Sequence, residues 1–473
     1  MSTLSHTSTS QAPMSAGARG ALLVLCGAIF LEGIDVAMLN VALPAIRAEL
    51  GLSTTTLSAV VSSYVLGYAG FMLLGGRAAD IFGKRRVFLS ALAVFIAFSG
   101  LGGFATEGWM LLTARFVTGI ASAFMTPAGL ALIMTNFPEG PQRNKAVLIY
   151  AGTAAGGFSL GLVAGGLLSA IDWRWVFFAP VILASLIFIL TPRLVADDHQ
   201  RDHSQRFDML GAVILAGAML TAAYGVTRLE DPKHGLEWTL AAFAASAILW
   251  IAFIAIQRKV AMPLVRLGIL RSPSLVRANL SALFFAGSFF GFQFLVSLYL
   301  QELMGWTSLQ TSLALLAIGA DAILAPTVTP WLVNRFGNIK VIFGGVLLAA
   351  LSYAWFLQVS LDWTYAAMFP SMILLGLAFS LAYGPLTILA TDGIDESEQG
   401  LASGLVNTAF QFGAALGLSA ASAVGVLALG AETDADSRLE ALRLALLVPV
   451  VATVIGLAVT ATGLGPWRKA AHG

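Results

Sequence analysis

Stretches of about 20 apolar residues recur along almost the whole of this 473-residue chain, each long enough as a helix to cross a hydrocarbon core of about 30 Å. No water reaches backbone N–H and C=O groups in lipid, so a repeated apolar segment of this length has to satisfy them internally as a helix. Composition agrees: 58% of residues are hydrophobic and 11% charged, against about 25% charged in soluble domains. A soluble protein of this size could not hide so much apolar surface. The net charge of +1 gives no electrostatic reason to expect a nucleic-acid partner. The single cysteine, Cys26, excludes an intramolecular disulfide and falls inside the first apolar stretch, as a packing residue. Residues 1–18 are rich in Ser and Thr and carry no Lys or Arg. That makes a poor signal-peptide n-region, so a disordered cytoplasmic tail and a retained first helix are expected.

Apolar runs between charged punctuation place fourteen spans near residues 20–43, 57–75, 87–104, 109–135, 146–170, 175–192, 209–227, 238–256, 278–299, 310–333, 341–359, 364–390, 401–429 and 441–465. An even number puts both termini on one side. Positive charge chooses the side: with the termini inside, nineteen Lys and Arg lie in cytoplasmic segments and six in outer ones, and Arg115 stays in the membrane. Tryptophans such as Trp109, Trp173, Trp238, Trp306 and Trp363 fall near the span ends, where indoles favour the interface.

A weak internal repeat appears at an offset of 254: residues 76–87 (GRAADIFGKRRV) align with residues 330–341 (PWLVNRFGNIKV), and each segment joins two spans on the same side. Repeats of this kind mark transporters made of two related bundles. The expected organisation is a tail (1–18), an N-terminal six-helix bundle (19–195), a loop with two inserted helices (196–257), a basic cytoplasmic linker (258–277), a C-terminal six-helix bundle (278–466) and a C-terminal tail (467–473).

Several segments carry a resemblance to the fourteen-spanner drug:proton antiporters of the major facilitator superfamily. DVAMLNVALP (35–44) resembles the first-helix signature of that branch. Gly76, Asp80, Gly83, Lys84 and Arg85 match the loop motif between helices two and three. Arg115–Gly119 resembles the fourth-helix Arg motif, and WRWVF (173–177) the start of helix six. LYLQ (298–301) and GLASGLVN (400–407) also fit the branch. The resemblance spans nearly the whole chain. It implies an all-α membrane fold of two six-helix bundles plus two inserted helices, alternating access, and export of amphipathic, cationic or lipophilic drugs against protons. It also implies that the 76–86 loop is a gating latch. There are departures: the fifth-helix antiporter motif reads GLVAGG (161–166) without its usual proline, Thr118 stands where Gln is usual, and Asn334 replaces the acid of the second-half loop. Gly157, Gly161, Gly165 and Gly166 keep the small-residue spacing that allows close helix packing.

Ionisable residues deep in a membrane are costly and mark function. Four lie deep within the spans: Glu32, Asp35, Arg115 and Asp321. Glu32 and Asp35, three apart, share a face of the first helix. At a rise of about 1.5 Å per residue, Asp35 lies about 13 Å and Arg115 about 9 Å below the same surface, depths compatible with a pair. Burial and a neighbouring Arg act in opposite directions on a carboxylate's hold on its proton, so Asp35, with Arg115, is the expected proton carrier. The alternative is a static pair joining helices one and four. Glu32, Asp35 and Asp321 are expected to line the substrate cavity, with Gln293, Asn407 and Gln411 as further candidates, although polar helix–helix bonding suits those three equally well. No His lies in a span. His199 and His203 beside Asp198 and Asp202 imitate a metal site but fall in a solvated loop, so no metal and no cofactor are expected beyond the proton gradient. No phosphate-binding GxxxxGK[ST] loop occurs, which leaves an ion gradient rather than ATP as the drive. The deep residues offer no catalytic constellation, so enzyme chemistry is not expected. The expected partners are a small-molecule substrate, protons and the bilayer, and the chain is expected to act as a monomer in the cell membrane. Export of an endogenous antibiotic, siderophore or lipid is an alternative that uses the same machinery. A channel or receptor predicts neither the half-repeat nor the latch loop.

Overall fold

Within each apolar run the backbone bonds to itself, and short polar turns decide where each helix ends. The computed structural model describes residues 15–137, 141–196, 208–228, 236–260, 263, 267–394, 399–430 and 434–464, and every described element is helical. The first half comprises α1 (Ala16–Leu50), α2 (Thr54–Phe82), α3 (Lys84–Gly103), α4 (Gly108–Asn136), α5 (Pro141–Ile171) and α6 (Trp175–Leu194). The insertion is α7 (Met209–Arg228) and α8 (Leu236–Gln257). The second half comprises α9 (Pro273–Leu298), α10 (Ser308–Leu315), α11 (Asp321–Phe336), α12 (Asn338–Phe356), α13 (Tyr365–Thr391), α14 (Gln399–Leu429), α15 (Ala435–Ala445) and α16 (Leu447–Ala461). Ten described helical segments are long and apolar enough to cross a membrane.

The turns reproduce the internal repeat. Gly51 (φ 64°) and Gly305 (φ 67°), and Gly83 (φ 96°) and Gly337 (φ 83°), adopt positive φ at the same offset of 254, a conformation that glycine reaches without Cβ strain. Between them, Ser53 and Thr307 cap α2 and α10 by accepting the Thr56 and Gln310 amides at 3.1 and 3.2 Å, the usual repair for the free N–H groups of a first turn. The repeat seen in one loop therefore runs from α1 to α3 and from α9 to α12.

α1 and α2 run several residues past both expected boundaries, and three further spans differ from the sequence expectation for local reasons. α9 starts at Pro273, five residues before the expected boundary, because Ser272 caps it and Pro273 occupies the first turn, where its missing N–H costs nothing. The tenth span is interrupted: a 3-10 turn, Leu316–Ala320, separates α10 from α11, beside the contact of Gly319 with Ser159 of α5. The last span begins earlier, at Ala435, and breaks between α15 and α16, where Pro449 cannot donate to the Ala445 carbonyl.

In the first half α1 packs on α5 and α6, α4 on α2 and α3, and α3 on α6; in the second, α9 packs on α13, α14 and α16, and α12 on α13 and α16. The halves meet as α2 against α14 and α5 against α10. The α7–α8 hairpin covers the α2–α14 seam, with Leu215, Met219 and Phe253 packed on Leu401, Leu405 and Phe412. The turns define two ends of the molecule: one holds Arg47 and the Gly51 and Gly305 turns, the other the Gly83 and Gly337 turns.

Candidate functional site

The site is positioned by glycines. A Cβ on Gly157, Gly161 or Gly165 would come within 2.8 Å of the Phe30 carbonyl, 2.7 Å of Ile34 Cα and 2.7 Å of Met38 Cα. This ridge at every fourth residue of α5 thus brings the backbone of α1 into direct contact along residues 30–38, and Asp35 lies inside that stretch. Gly166 faces the other way, against Ser312 and Leu309 of α10. Gly67 of α2 lies on the Phe116 carbonyl of α4, and Gly119 of α4 on the Tyr64 carbonyl of α2. The small residues of the first half therefore set the α1–α5 and α2–α4 spacings.

That spacing brings Asp35 of α1 to Arg115 of α4. The guanidinium Nη1 donates to Asp35 Oδ2 at 2.5 Å, and both residues are 2% exposed. Arg115 also lies over the Tyr64 ring at 4.3 Å, a cation–π arrangement that offsets part of the cost of burying a charge. The Tyr64 hydroxyl donates to Ser122 Oγ at 3.0 Å. One turn along α1, Glu32 accepts a hydrogen bond from the Thr126 hydroxyl of α4. Tyr68 stands beside both Glu32 and Thr126, and the Tyr150 hydroxyl donates to the Thr126 carbonyl at 3.3 Å. Asp35 is therefore paired with the guanidinium, while Glu32, one turn away, is held by Thr126 in a pocket of tyrosines.

The second half faces this pocket with aromatic rings. Tyr383 of α13 is close enough to Glu32, Tyr68 and Tyr150 to interact electrostatically with them. It stacks on Phe379 at 5.3 Å and meets Phe410 at 5.1 Å, and Phe410 meets Phe290 at 6.1 Å. The Tyr383 hydroxyl donates to Asn407 Oδ1 at 3.3 Å. Tyr383 is 40% exposed although it faces groups deep in the bundle, so it lines open space between the halves. Aromatic walls with a few converging polar groups are the usual lining of a small-molecule site.

Of the expected residues, Asp35, Arg115 and Glu32 are brought together on α1 and α4, and Asn407 reaches Tyr383. Gln411 is half-buried one turn further along α14. Gln293 of α9 is 1% exposed, and neither end of its amide has a hydrogen-bond partner. The backbone at Asp321 is where the 3-10 turn gives way to α11, but its side chain, like that of Asp80, lies outside the described residues. In the loop motif, a Cβ on Gly76 would meet Pro127 Cβ at an ordinary 3.8 Å, Gly83 makes the turn, and Arg85 Nη1 donates to the Val195 carbonyl at 3.2 Å. His199, His203, Asp198 and Asp202 lie outside the described residues, as do residues 1–14, the C-terminal tail and residues 261–262 and 264–266 of the linker; residues 15–18 of the expected disordered tail instead open α1, because Ser15 caps it by accepting the Ala18 amide.

Tyr64, Tyr68, Thr126, Tyr150, Tyr383, Phe379 and Phe410 were not singled out by the sequence reading. A signal existed for some of them. Arg115, Thr118, Ser122 and Thr126 recur every three or four residues along α4, a polar stripe on a membrane helix, and Tyr64 and Tyr68 are one turn apart on α2. Nothing comparable marks Tyr383, whose partners come from four other helices.

The family model described as Major Facilitator Superfamily matches residues 25–418. The chain is 32% identical to the cephamycin export protein of Amycolatopsis lactamdurans over 416 residues, covering 87% of this chain and 86% of that one. It is 32% identical to the puromycin resistance protein of Streptomyces alboniger over 421 residues, covering 87% and 82%. Among solved structures, an auto-inhibited peptide transporter of the POT family superposes with a TM-score of 0.70 at 16% identity, over 95% of this chain and 97% of that one. That likeness concerns the fold.

Proposed function

Since the chain belongs to the major facilitator superfamily, we propose that it exports antibiotics or other amphipathic drugs in exchange for protons by alternating access. The observation that carries this reading is the buried Asp35–Arg115 pair, which abuts a space lined by Glu32 from one half and Tyr383 from the other. Asp35 is the proton carrier. While paired with Arg115 its carboxylate is ionised and hydrogen-bonded; when rocking of the halves draws α1 from α4, an unpaired carboxylate in a low-dielectric site takes up a proton instead. Re-forming the pair expels it.

The excess of Lys and Arg supports a cytoplasmic Gly83 end with both termini inside, and the bacterial relatives support a cell-membrane location. The conformation, tied at the Arg47 end and paired at Asp35, is then the deprotonated state that receives substrate from inside. Glu32 attracts the cationic part of the substrate, Asp321 and Gln293 extend the lining, and the aromatic rings take its apolar part. The 76–86 loop, with Asp80, Lys84 and Arg85, latches the cytoplasmic end in the opposite state. A potential of 100 mV contributes about 2.3 kcal/mol per proton and one pH unit about 1.4 kcal/mol. Together they sustain about a 500-fold gradient of a neutral substrate at one proton each. No cofactor is needed, and a monomer contains the whole site.

The names of the relatives, cephamycin export and puromycin resistance proteins, support antibiotics as the substrate class; in a second reading the substrate is an antibiotic or metabolite made by the same cell. The test is uptake of a lipophilic cation dye into everted vesicles under a pH gradient. Uptake that collapses with a protonophore and with Asp35→Asn supports drug:proton antiport. Uptake that survives Asp35→Asn overturns the role of Asp35, and no dye movement by well-inserted protein moves the search to metabolites.

A further inference from the structure

Two irregularities of backbone face each other across the halves at the Arg47 end. In α1, Pro44 has no N–H, so the carbonyl of Asn40, four residues earlier, loses its helical donor. In α9, the helix ends in a π turn, Tyr299–Leu303, in which Met304 N bonds back to the Tyr299 carbonyl at 3.0 Å. π turns inside helices concentrate at functional sites.

The two irregularities are in register. The Ser297 hydroxyl of α9 donates to the Asn40 carbonyl at 3.2 Å, the acceptor that Pro44 leaves free. The Gln301 amide, inside the π turn, donates to the next carbonyl, Val41, at 3.2 Å, and its oxygen accepts from Ser308 at 3.3 Å. The following residue, Glu302, pairs with Arg47 at 2.6 Å. Ser297 and the Asn40 carbonyl are removed from water, and a buried carbonyl without a donor is costly, so the pairing is a specific device and not a surface contact.

We infer that the Asn40 carbonyl bared by Pro44, the neighbouring Val41 carbonyl and their Ser297 and Gln301 donors form the lock that closes the Arg47 end, with Ser297 and Gln301 as gating residues of the transport cycle. Opening this end separates α1 from α9 and leaves the Asn40 and Val41 carbonyls to incoming water, which satisfies them; closing expels that water and restores the protein donors. The lock is therefore reversible because its acceptors are backbone atoms that suit either partner. Glu302 and Arg47 guide the approach from outside, and the side-chain hydroxyl and amide set how long the closed state lasts. The inference rests on the alternating-access reading, but its readout is accessibility and not flux.

The test uses the full-length protein with Cys26→Ser and a reporter cysteine, Val36→Cys, one turn beneath Asn40 on α1. A membrane-impermeant maleimide is applied from whichever side labels the marker Thr106→Cys, which lies in the exposed turn between α3 and α4. Labelling of the reporter should be slow in the otherwise unaltered protein. Ser297→Ala and Gln301→Leu should each raise its rate about two- to tenfold, the effect of one lost hydrogen bond on a closed–open equilibrium, and Ser297→Thr, which keeps the hydroxyl, should stay near the unaltered rate. Pro44→Ala restores a helical donor to Asn40, so it should raise labelling too, and adding Ser297→Ala to it should change little. Unchanged labelling in Ser297→Ala and Gln301→Leu overturns the lock, and full additivity of Pro44→Ala with Ser297→Ala overturns the role of the bared carbonyl. Loss of dye transport with labelling as expected would instead count against the antiport reading alone.

Discussion

Where α1 carries Asp35 against Arg115, the equivalent position of α9 under the offset of 254 is Phe289, packed on Phe379 at 4.8 Å. The caps and positive-φ glycines of the two halves coincide, yet one half turns its interior into an ion pair beside Glu32 and the other into an aromatic cluster of Phe285, Phe289, Phe379, Tyr383 and Phe410. A duplicated backbone leaves each copy free to specialise because helix ends and close-packing positions, not interior polarity, specify the shared scaffold. The proton then belongs to one half and most of the apolar surface for a substrate to the other, so relative motion of the halves links them.

The sharpest way to break this division is at the ion pair. Asp35→Asn should reduce pH-driven dye flux to background while the protein still inserts. Moving the carboxylate across, as Asp35→Asn with Phe289→Asp, should not restore flux, because no guanidinium awaits it among the described residues; recovered flux in the vesicle assay would dissolve the division. Arg115→Ala leaves a buried carboxylate alone and should cost about 3–5 kcal/mol of stability, read as a lower melting temperature in detergent.

Next come the glycines that bring α1 to α5. Gly161→Val puts a side chain where even a Cβ meets Ile34 Cα at 2.7 Å, an overpacking that costs about 1–3 kcal/mol and should depress melting and flux together. Gly100→Val, at a glycine with nothing within 4 Å of its Cβ position, is the control.

On the aromatic side, Tyr383→Ala and Phe410→Ala should each weaken apparent dye affinity several-fold, as expected for an aromatic pair worth about 0.5–1.5 kcal/mol, with the maximum rate little changed. Glu32→Gln should weaken cationic dyes and spare neutral substrates, measured by competition with both classes. If the aromatic variants instead changed the proton dependence and left affinity alone, the two halves would not divide the work as proposed.

The smallest effect is expected far from both. Glu49 accepts from Arg174 at 2.5 Å and from Trp173 at 2.8 Å, and these donors hold its carboxyl below the ordinary glutamate range. Such a group stabilises the fold above its unfolded pKa and loses that contribution as pH falls through its lower folded value. Glu49→Gln should therefore lower stability by at most about 1 kcal/mol near pH 7. The difference from the unaltered protein should shrink as the pH drops below about 4.3, the ordinary glutamate value, as followed by thermal melts across that range.

Much of the fold was legible because the membrane restricts the choices. A segment such as residues 175–192 has to be a helix in lipid, and the loops at 76–87 and 330–341 reveal the duplication because turn glycines admit few substitutes. Asp35, Arg115 and Glu32 were legible for the related reason that a charge in an apolar helix is too costly to keep without use. Their depths along two helices even made the pairing foreseeable.

The tertiary structure alone decided the rest. No local pattern places Tyr383 against Glu32, since they sit in different halves and meet only once those halves pack. Nor does Pro44 in isolation say whether the Asn40 carbonyl it orphans is met by water, by its own helix or by Ser297, 257 positions away along the chain. Sequence by itself determined which groups must be buried, because burial in lipid follows from composition over a span. Which groups answer one another is a matter of distance between helices, and that depends on the packing of all of them together.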